Sequence, residues 1–406
     1  MTSRIILPVT LVLVTACGPS AERDSRPPSP APGGLAPTAQ ALADAAEDFA
    51  EVRAGYLEWY FEAHPVHATE LGVHDYDGRL PTMTRTGIQR KIDSLLEWLS
   101  DLEQIRFDLM RDGDRYDYAV LEYGIRAELL ELEETRTWAN DPGVYTGIIA
   151  RGLSAVVERE FAPSEERLAS LRARLAGAPA VLEAARANVR RPPRVWTELA
   201  LADTRGLLEY VERDLPTILA DREAGALAAV DTARQALATA LEAHLGWLAT
   251  ELLPRSNGTF RLGRYLLERK LLYSEHISLS LEELQRLNTN AINEYRQQVA
   301  EVAERIDPDR SPREIMDSIS RVGPRPDELL ERGRTSVEAA RDWVVSAGVV
   351  EVPRTELPIV RESPPWARTA FASLDAPGPF DSGELRTFLN LTNVREEWDE
   401  DLVREH

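Results

Sequence analysis

The chain has 406 residues, a formal net charge of -21 and 43% hydrophobic residues. The apolar share supports a packed core rather than a disordered chain. The acidity excludes nucleic acid as a partner, because phosphate binding needs a basic face, and it excludes electrostatic adhesion to anionic lipid.

Arg4 and the apolar run from Ile5 to Val14 have the layout of a signal peptide, too short to span a bilayer. Val14-Thr15-Ala16-Cys17 is similar to the bacterial lipobox, so residues 1–17 are expected to be a lipoprotein signal with Cys17 lipidated. An ordinary secretory signal with a chance cysteine is the alternative. Gly18 and Pro19, with no Asp beside the cysteine, point to a lipid anchor in the outer membrane facing the periplasm. Residues 18–37 are rich in Pro, Ala, Ser and Gly and read as a flexible tether. The remaining residues, 38–406, form the expected domain. Its basic residues are almost all Arg; only Lys91 and Lys270 are lysines.

Helical spacing dominates that domain. Leu42, Ala46, Phe49, Val52, Tyr56 and Trp59 make one apolar stripe, ending before Pro65. Ile88, Ile92, Leu95, Leu99 and Leu102 make a second; Tyr118, Leu121, Ile125, Leu129 and Leu132 a third. Ser164 is the expected cap of a helix with Leu168, Leu171 and Leu175 inward, which Gly177 and Pro179 are expected to stop. Pro192-Pro193 separates two further helices, and Val230, Leu237, Leu241, His244 and Leu248 stripe a long one. Ser280 with Glu283, and Ser311 with Glu314, are capping boxes. Near the C-terminus Leu357–Arg361 and Arg386–Leu391 read as short strands, and Asn393 restarts a helix. The expected fold is mainly α, a multi-helix body with a small antiparallel β element near the C-terminus.

Several segments carry a resemblance: Pro65–Gly72 with His74–Asp77, Phe161–Pro163 with Glu166–Leu168, Ala187-Asn188 with Pro192-Pro193, Phe260–Gly263, and Val352-Pro353 with Glu362–Pro364. On these the chain resembles the bacterial family catalogued as domain of unknown function 885, grouped by similarity with zincin-type zinc metallopeptidases. The resemblance implies the N-terminal part of a helical zincin-like fold. It also implies zinc for full-length relatives, held by a helix with a pattern like His-Glu-x-x-Pro-Gly-His, which this sequence lacks. The chain is therefore expected to be C-terminally incomplete, without a cofactor of its own, and unable to hydrolyse peptides.

His64, His67 and His74, with Asp75 and Asp77, are the densest polar cluster. Three imidazoles and two carboxylates could in principle coordinate zinc, but Pro65 divides the first two and His74–Gly78 reads as a turn. A loop locked by hydrogen bonds is the expectation. His244 lies on an apolar stripe, where a satisfied core histidine is expected. Glu128, Glu131, Glu133 and Glu134 read as a solvated ion-pair surface. Phe388, Leu389 and Asn390 are the candidate edge strand for an extended peptide substrate, against a purely structural hairpin. The functional expectation is the non-catalytic front part of a zinc-dependent hydrolase, tethered to the envelope. The alternatives are a peptide- or partner-binding lipoprotein and a gene fragment without independent function.

Overall fold

The computed structural model describes residues 37–222, 225–320, 325–352, 357–364, 368, 371–382 and 386–394. The signal segment with Cys17, nearly all of the tether and the helix expected after Asn393 lie outside them.

The fold is mainly α. Its first half contains α1 (Ala39–Ala63), α2 (Pro65–Leu71), α3 (Arg85–Glu103), α4 (Asp112–Leu129), α5 (Thr137–Asn140), α6 (Gly143–Glu158) and α7 (Ser164–Asn188). Then come α8 (Arg194–Glu209), α9 (Leu215–Arg222), α10 (Ala226–Trp247), α11 (Gly263–Glu275), α12 (Leu281–Ile306), α13 (Pro312–Ser320) and α14 (Leu329–Ala347). Three short strands close the described chain: β1 (Ile359–Glu362), β2 (Ala372–Asp375) and β3 (Phe388–Leu391).

The apolar stripes mostly bury as their spacing predicts, although Leu42 at the start of the first stays exposed. Phe49 and Tyr56 of α1, Ile88, Ile92, Leu95 and Leu102 of α3, and Tyr118, Ile125 and Leu129 of α4 form one core. Fully burying a side chain of this size is worth roughly 1.5–3 kcal/mol. A second core joins α6, α7, α8 and α10 through Ile149, Leu153, Leu171, Leu175, Leu201, Leu237 and Leu241. Helix starts follow local chemistry: Thr38 and Thr84 accept from the backbone two or three residues inside α1 and α3, and Ser280 and Glu283 exchange both bonds of a capping box.

Three expectations are corrected. Helix α7 runs through Pro179 to Asn188. The missing N–H and the ring clash of an interior proline cost about 3 kcal/mol, but Val181, Leu182, Ala184 and Ala185 are all buried beyond it, and their packing offsets that loss. Ser164 is the first residue of α7, not its cap; the Pro163 carbonyl accepts from the Glu166 and Arg167 amides instead. The sheet is mixed rather than antiparallel. Its order is β1-β3-β2, with β1 parallel and β2 antiparallel to β3. The strand Ala372–Asp375 is four residues long and holds no β-branched or aromatic residue, which is why its sequence does not announce it.

His244 is buried as expected but not satisfied: neither ring nitrogen has a hydrogen-bond partner among the described residues. Burial, helped by the Arg186 charge, pushes its pKa down to about 4, so the ring sits neutral against Trp247.

Candidate functional site

The segment from Pro65 to Asp77 is the hinge of the site. Pro65 starts α2, where its missing N–H costs nothing. Gly72 ends α2 with φ of 89°, a conformation open to glycine. His74 then begins a single 3-10 turn. Its Nδ1 lies 3.0 Å from Asp77 Oδ2 and its Nε2 lies 3.1 Å from Asp381 Oδ1. Its ring stacks on Phe161 at 3.8 Å. The expected hydrogen-bonded loop is thus present, and one of its partners comes from the C-terminal turn.

That turn is clamped from several sides. The Phe380 amide donates to the Leu71 carbonyl at 2.9 Å. Asp381, 2% exposed, accepts from the Gly378 amide at 2.7 Å and from Arg159 Nη1 at 3.4 Å. Arg159, which follows α6 directly, also pairs with Asp375 of β2 and donates to the Ala376 carbonyl. One guanidinium therefore links the helical body to the sheet, using the fork geometry that suits carboxylates.

The face of the sheet toward α6 carries a polar ladder. Arg361, Asn390 and Ser373 are register partners across β1, β3 and β2. Arg361 Nε donates to Asn390 Oδ1 at 2.6 Å, and Asn390 Nδ2 donates to Ser373 Oγ at 3.1 Å. Arg361 also pairs with Glu158 of α6 and lies over the Phe388 ring. Between this ladder and α6 is a cavity of about 320 Å³, walled by Glu70, Arg151, Ser154, Glu158, Leu374 and Asp375.

The edge assignment for Phe388, Leu389 and Asn390 is overturned: β3 is the middle strand and both its sides are paired. Its apolar and aromatic residues are those of a covered strand, whereas the edges fall to β1 and the polar β2. The Thr392 amide donates to the Phe371 carbonyl at 3.0 Å. In the alternating ladder this turns the main-chain N–H and C=O of Ala372 and Leu374 away from β3. No described strand pairs with that side of β2.

The three sequence-selected histidines do not converge. His64 Nε2 lies 2.9 Å from Glu128 Oε1 and 3.2 Å from Lys91 Nζ. His67 Nδ1 lies 2.8 Å from the Tyr60 hydroxyl, and His74 faces Asp77 and Asp381. Each imidazole is committed to a different set of partners. Among the described residues no group of three His, Cys, Asp or Glu is placed to hold a metal ion, so these donors do not fit zinc.

The reading of Glu128 as a solvated carboxylate is also overturned. It faces α1 and α3, its side chain is 19% exposed, and it stands 3.6 Å from Lys91. Burial raises its pKa against the pull of Lys91, and burial lowers that of Lys91 against the pull of Glu128. Burial and then the Lys91 charge push His64 down to about 3. Tyr60 rises to about 12, through burial and then Glu128. Glu131 and Glu134 do pair at the surface, with Lys270 and Arg269.

Sequence reasoning missed a further carboxylate pair. Asp141 and Asp203 line a cavity of about 340 Å³ beside Trp196 and Arg151, so Arg151 stands between this cavity and the sheet cleft. Burial, then the Asp141 charge, raises Asp203 to about 6, near where a carboxyl can act as a proton donor. Its Oδ1 is buried without a partner among the described residues.

The fold and cleft define a class: a helical protein in which a small mixed sheet, clamped by arginine–carboxylate pairs, closes a charged groove. Over residues 65–404 the chain matches the model of the bacterial proteins of unknown function DUF885, and it belongs to that family. In fold it is similar to a solved structure from Shewanella oneidensis described as a candidate lipoprotein of unknown function, at 22% identity and a TM-score of 0.65. That likeness covers 87% of this chain and 66% of the other, so the chain spans just under two thirds of that structure's length. No curated protein matches.

Proposed function

We propose that this chain is a lipid-anchored protein of the bacterial envelope that binds an extended peptide along the free edge of β2, as the recognition part of a peptidase-type hydrolase. The observation that carries the binding role is the outward main chain of Ala372 and Leu374 beside the 320 Å³ cleft. Main-chain groups at a sheet edge supply affinity for any extended peptide, and adjoining pockets supply side-chain selectivity. Here the adjoining groups are Arg151 and Arg361 with Glu70, Glu158 and Asp375. They favour a peptide with polar or charged side chains.

Support for the anchor comes from Val14–Cys17 and from the description of the Shewanella oneidensis structure as a candidate lipoprotein. Among the described residues no helix is long and apolar enough to cross a membrane. Support for a recognition role comes from the sequence resemblance set out above, which implies a zincin-like relation. It also comes from an apolar face on α12, where Leu287, Ile292, Tyr295, Val299, Val302 and Ile306 recur at helical spacing and are all exposed. A face of that kind marks a surface made to be covered.

Replacing Leu374 with proline removes one outward N–H and leaves the bonds to β3 in place. Fluorescence polarisation with labelled extended decapeptides should show binding by the native chain and about tenfold weaker binding by Leu374→Pro. Equal affinity of the two proteins would remove the edge-strand reading. Separately, Cys17→Ser should move the protein from the membrane fraction to the soluble periplasmic fraction and abolish incorporation of radiolabelled palmitate. Retention of both signals in that variant would rule out the anchor.

A further inference from the structure

A third cavity, about 270 Å³, lies away from the sheet, between the end of α1, the start of α2, residues 79–82 and the first turns of α3. It is lined by Arg79, Arg90 and Lys91 against a single acid, Glu62. In a chain of net charge -21 such a concavity runs against the prevailing field. Glu62 is already used, 3.2 Å from Arg79. Arg90 has no hydrogen-bond or ion-pair partner among the described residues. Lys91 carries three N–H groups. It lies 3.2 Å from His64 Nε2 and 3.6 Å from Glu128 Oε1, which leaves a third donor for the cavity.

We propose that this cavity is a binding site for a small oxyanion, the carboxylate or phosphate group of a small molecule, held by Arg90 and Lys91. Arg90 supplies an uncompensated guanidinium suited to two-point contact with such a group. Lys91 supplies a point charge held in place by Glu128 from behind. Trp59 and Leu80 in the wall give an apolar surface for the remainder of the ligand. The volume falls just under the range for drug-sized ligands, which sets a small ligand. The position of Lys91 supports the assignment. Its side chain is 20% exposed at the cavity wall, whereas the other lysine, Lys270, is 46% exposed and paired with Glu131.

The test is isothermal titration calorimetry of the full chain with inorganic phosphate and, separately, with succinate, at low ionic strength. A saturable single site for either probe is expected, weakened about tenfold by Arg90→Ala and unchanged by Arg341→Ala at a distant exposed position. Phosphate binding without succinate binding assigns a phosphate-bearing ligand, and the reverse assigns an organic acid. Lys91→Met should weaken the same site. If that variant loses its fold because Glu128 is left unpaired, the exposed Arg90 decides the matter alone. Absence of heat from both probes at millimolar concentration, or an unchanged affinity in Arg90→Ala, overturns the site.

Discussion

Replacing Arg174 by methionine should lower the unfolding free energy by about 3–5 kcal/mol. Arg174 is fully buried on α7, yet every arm of its guanidinium is used. Nη1 donates to the Gly152 carbonyl at 2.6 Å, Nη2 to Thr69 Oγ1 at 2.6 Å and to the Pro65 carbonyl at 3.3 Å, and Nε to the Arg79 carbonyl at 3.2 Å. Burial pushes its pKa down to about 10, opposed by the charges of Asp77 and Glu70, so it stays cationic at any physiological pH. Methionine keeps most of the volume and removes the fork. Two buried carbonyls then lose a donor, and Asp77, 5% exposed, loses its countercharge. Urea denaturation followed by circular dichroism measures the change. Arg341→Met, on an exposed pair with Asp342, is the comparison and should stay within about 0.5 kcal/mol of the native chain. If the two variants unfold at the same urea concentration, Arg174 is not the tie between α2, α6 and α7 that its contacts describe.

Gly72→Ala should have the second-largest effect, and it should act on the cleft as well as on stability. At φ of 89° any side chain meets the left-handed penalty of about 1–2 kcal/mol. A β-carbon there would also lie 2.7 Å from the Phe380 carbonyl carbon and 2.8 Å from Asp381 Cα. Both are main-chain atoms, so no rotamer change relieves the contact. The 378–381 turn must move, taking with it the Phe380–Leu71 hydrogen bond and the contacts of Asp381 with His74 and Arg159. A total cost of roughly 2–4 kcal/mol is expected, with loss of the peptide binding expected for the native chain and faster proteolysis near Asp381. Gly113→Ala, near the start of α4 with open space around it, should be neutral or slightly stabilising. A Gly72→Ala protein with native proteolysis kinetics would show that the turn and α2 are not in register as described.

These two residues lie on opposite sides of what a sequence can disclose. Gly72 caps α2 with a glycine in the left-handed conformation, a choice that local chemistry explains although the apolar stripe ends before Pro65 and marks no helix there. Nothing in the sequence around Arg174 separates it from the exposed Arg172 of the same helix, because its partners at Pro65, Thr69 and Gly152 are remote in the chain. Glu128 is the same case in reverse. Its neighbours on α4 look like a charged surface, and only the packing of α1 and α3 over it makes it a buried group beside Lys91 and His64.

The sequence by itself determined the mainly helical class, the apolar stripes, the capping boxes at Ser280 and Ser311, the locked turn at His74 and two of the three strands. Most of these depend on residues within four or five positions of one another, the range over which backbone bonds and helix faces are set; the His74 turn has Asp77 in that range, and the fold adds Asp381. The tertiary structure alone decided that α7 passes through Pro179, that Phe388–Leu391 is a central strand, and that β2 lies at an edge. It alone brought Arg159 to Asp381 and Arg361 to Asn390. Those outcomes depend on which surfaces meet, and burial against a distant partner outweighs local preference by several kcal/mol.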